Sequence, residues 1–406
     1  MTIPASNDNH PGIPKARSFF LTVLPMYILG HCAHHLLTAL PMPLLPFIRS
    51  EFGLDYTHAA FVTSSFAIAA GFGQLPAGWL ADKIGATIPL LMGILGVAVF
   101  GIFIGTSQTY IMLLILMMLM GLMSGGYHPA ATPMISNSVP PAQRGRALGW
   151  HLIGGNVAFF FGPIVAGVIA GFWGWRGAFI CLAIPTGIIG VVFLAFLKSG
   201  SSKVHAEQLK KEHGEEQPPP PGNIRRLVAF LTMTVLAGGA GMSVMAFFTL
   251  YAVDILGLTE ANAAKILSLI FVSGLYAGPI GGWLSDKFGR VPIIVICGVV
   301  DGLMIFALPR VQWGFLFFLV LFAMGLVLAL RMPVTEAFLI GQTAPRYRSR
   351  VFALYYFTMQ YTGAVFAPFM GKLVDLWGFT RCFTISAIIV VVVTLGTMPF
   401  LAGSRN

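Results

Sequence analysis

The chain has 406 residues, of which 57% are hydrophobic and only 9% are charged, whereas an average soluble protein has about 25% charged residues. This composition excludes a soluble enzyme and a set of soluble domains, because most of the surface must face lipid. The net charge of +10 does not indicate a nucleic-acid-binding protein, since the basic residues are scattered singly or in small groups between apolar segments.

Apolar runs of about 20 residues, the length that a helix needs to cross a bilayer, recur along most of the chain. We predict twelve membrane spans, numbered below in chain order: 19–46, 57–80, 87–106, 109–136, 147–171, 176–197, 227–253, 262–284, 291–309, 314–340, 351–373 and 381–402. The first run is too long for a signal peptide and is expected to be retained. The four cysteines lie within apolar runs without a CxxC spacing, so neither a disulfide framework nor a zinc cluster is expected.

The spans form two groups of six, separated by a polar segment at residues 198–226. This segment contains lysines, glutamates and four consecutive prolines, a composition that cannot bury a core and that indicates a flexible linker. The sequence therefore predicts a tail at 1–18, a six-helix bundle at 19–197, the linker, a second six-helix bundle at 227–402 and a tail at 403–406.

Lysine and arginine are distributed unevenly between the two sides of the predicted bundles. Excluding Arg331, 17 of them lie in the tails, the linker and the loops after even-numbered spans, whereas 6 lie in the loops after odd-numbered spans. Because positively charged loops stay in the cytoplasm, both termini are expected to be cytoplasmic. We expect a multi-pass plasma-membrane protein, located in the inner membrane of a bacterium.

An internal repeat relates the two groups of spans. The segment Gly78–Gly85, GWLADKIG, reappears 204 residues later as Gly282–Gly289, GWLSDKFG. At the same offset, Pro129 in span 4 corresponds to Pro333 in span 10. Since the repeated loops lie on the same side of the membrane, the two halves are parallel repeats about an axis along the membrane normal.

The repeated loop has the form GxxxD(R/K)xGR, and through this motif the sequence resembles the major facilitator superfamily over essentially its whole length. The copy that begins at Gly282 is complete, whereas the copy at Gly78 has Ala86 in place of the final basic residue. The resemblance implies an all-α membrane protein with twelve transmembrane helices, arranged as two six-helix bundles with pseudo-two-fold symmetry. It also implies alternating access, in which the halves rock about a central site.

In that family, such loops stabilise the outward-facing state by pairing charges across the cytoplasmic side, so the resemblance implies a conformational latch. Its residues here are the motif positions and four arginines that could pair with them: Gly78, Asp82, Lys83, Gly85, Gly282, Asp286, Lys287, Gly289, Arg290, Arg144, Arg146, Arg348 and Arg350. The alternative is that these charges only set the topology, because exposed ion pairs contribute about 0–1 kcal/mol.

Span 5 resembles the GP motif of antiporters through Gly162-Pro163, which is followed by Ala166-Gly167. In the superfamily, this motif marks exporters more often than importers. Small residues along one face allow close helix packing, and a proline bends a helix, so Gly162 and Pro163 are a candidate hinge. A purely structural stripe of small residues is the alternative.

Within the superfamily, the sequence is similar to efflux proteins of the fosmidomycin-resistance type. The short motifs that carry this likeness are His31 ahead of Pro46, Ser50-Glu51-Phe52, His128-Pro129, Gly154-Gly155-Asn156 and Gly162-Pro163. Span 4, in contrast, has Met117 where many proton-coupled drug antiporters have an arginine, four residues before the glycine that is Gly121 here. Proton coupling by that arginine is therefore excluded.

Ionisable side chains at membrane depth are unfavourable unless they face a cavity or a partner, so each is a candidate for substrate binding or proton coupling. The first half contains His31, His34, His35, His128 and His151, and the second half contains Asp301, Arg331 and Glu336. The first three histidines share one face of span 1, where superfamily members line the central cavity. They could carry protons, bind an anion when charged, bind a metal ion or form interhelical hydrogen bonds. We expect no metal site, because no carboxylate lies near them in the sequence.

Arg331 stays charged at any working pH and therefore needs an anionic partner inside the membrane. The sequence leaves three choices, which are Glu336, Asp301 and a bound substrate. A permanent pair with Glu336 would make Arg331 a structural residue.

Together, these features predict a secondary active transporter that exports a small polar or anionic toxic compound by proton coupling. The alternative is proton-coupled uptake of a small organic anion. The expected partners are the small-molecule substrate, protons and the lipid bilayer, with no nucleic acid, and the chain is expected to act as a monomer. No cofactor is expected, since the proton gradient would supply the driving force. An enzyme would need a nucleophile and base, and a sensor would need a soluble domain; the sequence indicates neither.

Overall fold

A computed structural model of the protein describes residues 19–136, 138–139, 144–198, 222–343 and 348–401. Nearly all of these residues are helical, and no strand occurs among them. The predicted tails and most of the predicted linker lie outside the described residues. The helix that contains span 7 begins at Asn223, so the last residues of the predicted linker are helical.

The helices of the first half begin with span 1 and are joined by short turns. They are Phe19–Thr38, Leu45–Phe52, Tyr56–Ile84, Thr87–Ile104, Tyr110–Ser136 and Arg144–Lys198. Those of the second half are Asn223–Asp254, Glu260–Leu275, Ala277–Phe288, Arg290–Arg310, Phe315–Gln342 and Arg348–Leu401. The predicted all-α class is confirmed.

Nine helices among the described residues are long and apolar enough to cross a membrane, and one bent pair, Glu260–Leu275 with Ala277–Phe288, adds a tenth. Two of the nine are double length, because Arg144–Lys198 has 55 residues and Arg348–Leu401 has 54. About 20 residues suffice for one crossing. Counting each of these helices as two spans brings the total to the predicted twelve.

The predicted end of span 1 at residue 46 is wrong. The helix ends at Thr38, the chain turns through residues 39–44, and the separate short helix Leu45–Phe52 follows. Pro41 and Pro43 cause this break, because proline lacks the N–H that would continue the helical ladder. Because the turn is itself apolar, hydropathy alone does not distinguish it from a continuous membrane span.

The repeat is visible in the backbone at glycines that are 204 residues apart. Positive φ angles occur in three such pairs: 60° and 68° at Gly53 and Gly257, 95° and 89° at Gly85 and Gly289, and 69° and 74° at Gly174 and Gly378. Side chains other than glycine rarely adopt these angles, so each pair marks the same turn in both halves. Gly174 and Gly378 are also the points where the two double-length helices break.

Two helix pairs form most of the contact between the halves, namely span 2 with span 11 and span 5 with span 8. Glycines bring the backbones together at both. A Cβ atom at Gly371 of span 11 would lie 2.7 Å from the Tyr56 carbonyl oxygen, and one at Gly167 of span 5 would lie 2.8 Å from that of Ala261. Small residues at these positions therefore set the distance between the halves.

Candidate functional site

Three side chains join the halves at the membrane side opposite the chain termini, which is called the loop end below. Arg49, in the helix after span 1, forms an ion pair with Asp254 at the end of span 7, with Nη1 2.7 Å from Oδ2. The Tyr56 hydroxyl donates a 2.7 Å hydrogen bond to the same carboxylate oxygen. The Arg49 guanidinium also lies over the Tyr56 ring, 4.3 Å from its centroid. One carboxylate of the second half therefore holds two residues of the first.

A second carboxylate at the loop end holds the start of span 2 from the opposite half. Asp375 accepts hydrogen bonds from the backbone N–H groups of Tyr56 and Thr57, at 3.0 and 3.2 Å, and from the Thr57 hydroxyl at 2.6 Å. The first N–H groups of a helix have no partner within the helix and attract negative charge. Asp375 thus supplies a helix cap between the halves, while Asp55 caps the same helix from its own half by accepting from the His58 N–H.

Hydrogen bonds at the loop end and near mid-membrane link described residues of the two halves. The remaining two run from the Thr249 hydroxyl to the Met42 carbonyl, at 2.9 Å, and from the Asn156 amide to the Gly274 carbonyl, at 2.6 Å. The halves are therefore fastened together at the loop end in this conformation.

The five predicted histidines lie together in the first half. His31, His34 and His151 are buried, while His35 and His128 are partly exposed. The ring of His31 stacks on that of His151, with centroids 4.2 Å apart, and lies 4.7 Å from His35 and 5.4 Å from His128. We call these five side chains the histidine cluster. Spans 1, 4 and 5 each contribute to it.

Backbone carbonyls fix the protons on two of the rings. His34 Nδ1 lies 2.6 Å from the Gly93 carbonyl oxygen, and His31 Nδ1 lies 2.9 Å from that of His151. A carbonyl oxygen can only accept, so each Nδ1 carries the proton. The Gly155 N–H lies 3.2 Å from His31 Nδ1, but its helix already offers it the His151 carbonyl four residues earlier. The remaining nitrogen, His31 Nε2, is buried and has no hydrogen-bond partner among the described residues.

The histidine cluster touches the boundary between the halves through aromatic rings. His35 lies 4.8 Å from Phe159 of span 5, which stacks on Phe271 of span 8 at 5.2 Å. One turn from Phe159, Asn156 donates its amide hydrogen to the Gly274 carbonyl, where span 8 breaks and bends by 47°. A movement of span 8 would therefore shift Phe159 and, through it, the His35 ring of the histidine cluster.

The predicted ionisable groups of the second half do not form a direct ion pair. Among the described residues, no carboxylate oxygen lies within 4.0 Å of the Arg331 guanidinium. Glu336 instead accepts a 2.7 Å hydrogen bond from the Tyr356 hydroxyl. The two residues are five positions apart and so point to different faces of the helix. The permanent Arg331–Glu336 pair considered above is therefore absent from this conformation, while Asp301 acts on Arg331 only through space.

The predicted latch is described only in part. The side chains of Asp82, Arg144, Arg348 and Arg350 lie outside what the structure describes. Lys83 and Lys287 lie over Trp79 and Trp283, at 4.7 and 5.2 Å from the ring centroids, in matching positions of the two halves. Arg146 lies over Phe20, and Arg290 donates to the Ala337 carbonyl within its own half. Asp286 is exposed. No latch residue whose side chain is described forms an ion pair, so the role of the latch stays a prediction.

The predicted hinge lies in a continuous stretch of helix. Helical geometry continues through Gly162 and Pro163, and the departure from it within this helix is at Gly174. A Cβ atom at Gly162 would meet no atom within 4 Å, whereas one at Gly167 would meet the backbone of span 8. Close packing in this motif therefore comes from Gly167, and the hinge role of Gly162 and Pro163 stays a prediction.

The sequence did not identify the residues at the loop end. Arg49, Asp254 and Asp375 lie near predicted span ends, where charged residues are common, and nothing in their spacing links residues about 200 or 300 positions apart. Their one sequence signal is that few acidic residues occur at all, with 14 in the chain. This scarcity is a weak signal that an acidic residue beside a span has a specific partner.

Comparison with known proteins gives one consistent picture. A family model described as Major Facilitator Superfamily matches residues 27–308 and 230–405. The chain is 27% identical over 359 residues to multidrug resistance protein MdtG of Salmonella paratyphi C, covering 86% of this chain and 88% of that protein. It is 28% identical over 362 residues to MdtG of Enterobacter lignolyticus, covering 87% and 85%.

Solved transporter structures share the fold. A crystal structure of the peptide transporter POT in complex with alafosfalin has a TM-score of 0.74 at 15% identity, covering 96% of this chain and 98% of that chain. A bacterial homolog of the human lysosomal transporter Spinster, in an inward-facing and occupied conformation, has a TM-score of 0.66 at 16% identity, covering 95% and 96%. At such identities these structures show the architecture alone.

Proposed function

Because the chain belongs to the major facilitator superfamily, and is therefore a membrane transporter and not an enzyme, we propose that it exports a small polar or anionic toxic compound in exchange for protons. The transport cycle would be alternating access, with the two six-helix halves rocking about a site near mid-membrane. The proposal places the protein in a bacterial inner membrane, as a monomer with cytoplasmic termini.

The observation that carries this proposal is the connection between the halves at the loop end. Arg49, Tyr56 and Thr57 bind two carboxylates of the second half at the loop end. A transporter closed on one side is one of the two end states that alternating access requires. With cytoplasmic termini, this state would be inward-facing and ready to load cargo from the cytoplasm.

Two observations support export. The matched relatives in Salmonella and Enterobacter are named multidrug resistance proteins. Within this chain, Gly167 of the GP motif packs against span 8, where the halves meet. A tight contact at this position is suited to sealing the boundary between the halves during the return step.

The charge of the interior supports a polar or anionic cargo. Arg331 brings a guanidinium to membrane depth without a direct carboxylate partner among the described residues. A charge at membrane depth without a direct partner is unfavourable, and an anionic substrate would neutralise it in the occupied state. Protons could be carried by the histidine cluster, Asp301 or Glu336, because all of these groups can gain and lose a proton.

Uptake of a small organic anion by proton symport is the second candidate. It is favoured by Met117, which stands where many proton-coupled drug antiporters have an arginine. The two candidates share a fold and a site, and they differ in the direction of net movement when protons enter from outside.

Direction can be measured by comparing everted membrane vesicles with intact cells, each with and without the protein. We expect everted vesicles with an acidic interior to accumulate a candidate anion, and expect a protonophore to abolish the accumulation. A resistance screen across compound classes would select the candidates. Export would be refuted if intact cells took up a compound in a protein-dependent manner while everted vesicles accumulated none of them.

A further inference from the structure

Three members of the histidine cluster present nitrogen atoms to one another. The ligand atoms of His31, His35 and His128 all lie within 4.8 Å of each other. Their ring centroids form a nearly equilateral triangle, with sides of 4.7 Å for His31–His35 and 5.4 Å for the two distances to His128. Two of the rings come from successive turns of span 1, and the third comes from span 4.

The hydrogen bonds around His31 match those of a histidine that binds a metal through one ring nitrogen. Its Nδ1–H donates to the His151 carbonyl, which leaves a lone pair on Nε2. That nitrogen is buried without a partner among the described residues. Histidines that bind metals almost always donate their other ring N–H to a carbonyl or carboxylate, which fixes the ring and its tautomer. His35 is also oriented from behind, because its Nδ1 lies 3.2 Å from the Thr38 hydroxyl.

We propose that His31, His35 and His128 bind one divalent transition-metal ion of the kind that prefers imidazole nitrogen, such as zinc, cobalt or nickel. Zinc–nitrogen bonds of about 2.0–2.1 Å in tetrahedral geometry put ligand nitrogens about 3.3 Å apart. The three nitrogens are at most 4.8 Å apart, so small ring rotations bring them to this spacing. Because His35 and His128 are partly exposed, the three ligands are not fully enclosed, and an ion can reach them.

The charge of the site defines what else it binds. The group of possible ligands consists of three neutral imidazoles and includes no carboxylate or thiolate among the described residues. A divalent charge at membrane depth needs compensation. Three protein ligands leave a fourth tetrahedral position free, as in open zinc sites. The fourth ligand would therefore be an anionic oxygen. The metal site itself departs from the expectation, made from the sequence, that no metal is bound.

Metal binding can be tested on the full-length protein in detergent, purified with a tag that contains no histidine. Titration with Co²⁺ should produce the absorption bands of a tetrahedral site at one ion per chain, and Zn²⁺ should displace it. Replacing a ligand, as in His128→Gln or His35→Gln, should weaken Zn²⁺ binding by about tenfold to a hundredfold or more. Losses of that size follow even when only a group that hydrogen-bonds to a ligand is replaced.

Two further variants make the test independent of the folding of the ligand variants. Gly155→Ala keeps all three ligands, but its Cβ would lie 2.8 Å from His31 Cε1 and 3.0 Å from His35 Cδ2, so it should displace both rings and weaken binding. His58→Gln is the matched control, because His58 is exposed at the loop end and pairs with Asp55. It should leave the affinity and the stoichiometry unchanged.

The remaining histidines, His10, His205 and His213, lie outside the described residues, and one variant should replace all three. We expect it to bind one ion with unchanged affinity. Loss of binding in this variant would overturn the proposal. So would the absence of saturable binding in the unmodified protein, or an unchanged affinity in the His35, His128 and Gly155 variants. Binding to purified protein does not depend on transport direction, so this result is separate from the outcome of the export assay.

Discussion

Arg49 and Asp254 are 205 positions apart in the chain, yet their side chains meet at 2.7 Å and connect the two halves at the loop end. Both side chains are about one-quarter exposed. Such partly exposed ion pairs contribute about 0–1 kcal/mol each. The pair therefore biases the balance between two conformations and does not lock one of them, which suits a transporter that must open this end in every cycle.

Reversing one charge of this pair should open the loop end. In Arg49→Asp, two carboxylates would face each other, and the population closed at this end should fall by up to about fivefold, the equivalent of about 1 kcal/mol. The distance between spin labels at Gln108 and Ile255, introduced into a chain without its four native cysteines, should lengthen. Adding Asp254→Arg should restore the shorter distance.

The control for this experiment is an ion pair of the same kind within one half. Glu51 pairs with Arg176 at the loop end, and both residues belong to the first half. Glu51→Gln should leave the distance between the labels unchanged. If it lengthened that distance as much as Arg49→Asp does, loop-end charge in general, and not the connection between the halves, would be responsible.

Removing the helix cap supplied by Asp375 should weaken the same closure by a different route. Asp375→Ala removes three hydrogen bonds to Tyr56 and Thr57 at the start of span 2. Both backbone N–H groups would lose their partner in the second half, so the contact between the halves at this end should weaken. We expect a longer distance between the labels at Gln108 and Ile255, by electron paramagnetic resonance.

Asp55 provides the matched comparison, because it caps the same helix from its own half. Asp55→Ala should lower the thermal stability, since losing such a cap costs about 0.5–2 kcal/mol. It should not change the distance between the labels. The interpretation fails if the two substitutions have the same effect on that distance.

Much of the architecture followed from the sequence because the two halves repeat local features. The glycine that ends the repeated motif has nearly the same positive φ at residues 85 and 289. The lysine that precedes it by two positions lies over the equivalent tryptophan in both halves. Such features depend on a few neighbouring residues, so a sequence pattern can carry them. The end of span 1 was missed because its breaking prolines lie in an apolar segment.

The site could be predicted only in part, because some of its contacts depend on how separate helices cross. Helical spacing placed His31, His34 and His35 on one face, and the structure has them together. That His151 would stack on His31 depends on how spans 1 and 5 cross, which no local pattern records. The contacts at the loop end also depend on which side of the transporter is closed, so they belong to a conformation as well as to a sequence.

Alanine at Gly154 should disturb the packing that builds the histidine cluster. A Cβ there would lie 2.1 Å from the Ile28 carbonyl oxygen, so spans 1 and 5 would have to separate. Overpacking of this kind costs about 1–3 kcal/mol. We expect a lower melting temperature and less monodisperse protein in size-exclusion chromatography.

Gly149, five residues earlier in the same helix, is the control for this substitution. A Cβ there would meet no atom within 4 Å. Gly149→Ala should be neutral or slightly stabilising, because alanine favours a helix by up to about 1 kcal/mol over glycine. Equal losses of stability in the two variants would show that the contact with span 1 is not the cause.

Replacing Arg331 should separate a role in cargo binding from a structural one. Because no carboxylate contacts Arg331 directly among the described residues, Arg331→Ala removes a partly buried charge at membrane depth and breaks no direct ion pair. We expect unchanged or higher thermal stability and complete loss of transport in everted vesicles. Arg331→Lys keeps the charge but loses the planar fork, so it should retain weak transport with a higher KM.

Arg310, in the same half at the loop end, is the matched control for Arg331. It donates hydrogen bonds to the Phe306 carbonyl and the Thr384 hydroxyl, so its side chain supports the local structure. Arg310→Ala should lower the melting temperature slightly and leave transport intact, the reverse of the Arg331 pattern. If Arg331→Ala instead failed to insert or to remain folded, the charge would be holding the second half together. An anionic partner within the protein would then have to form in another conformation.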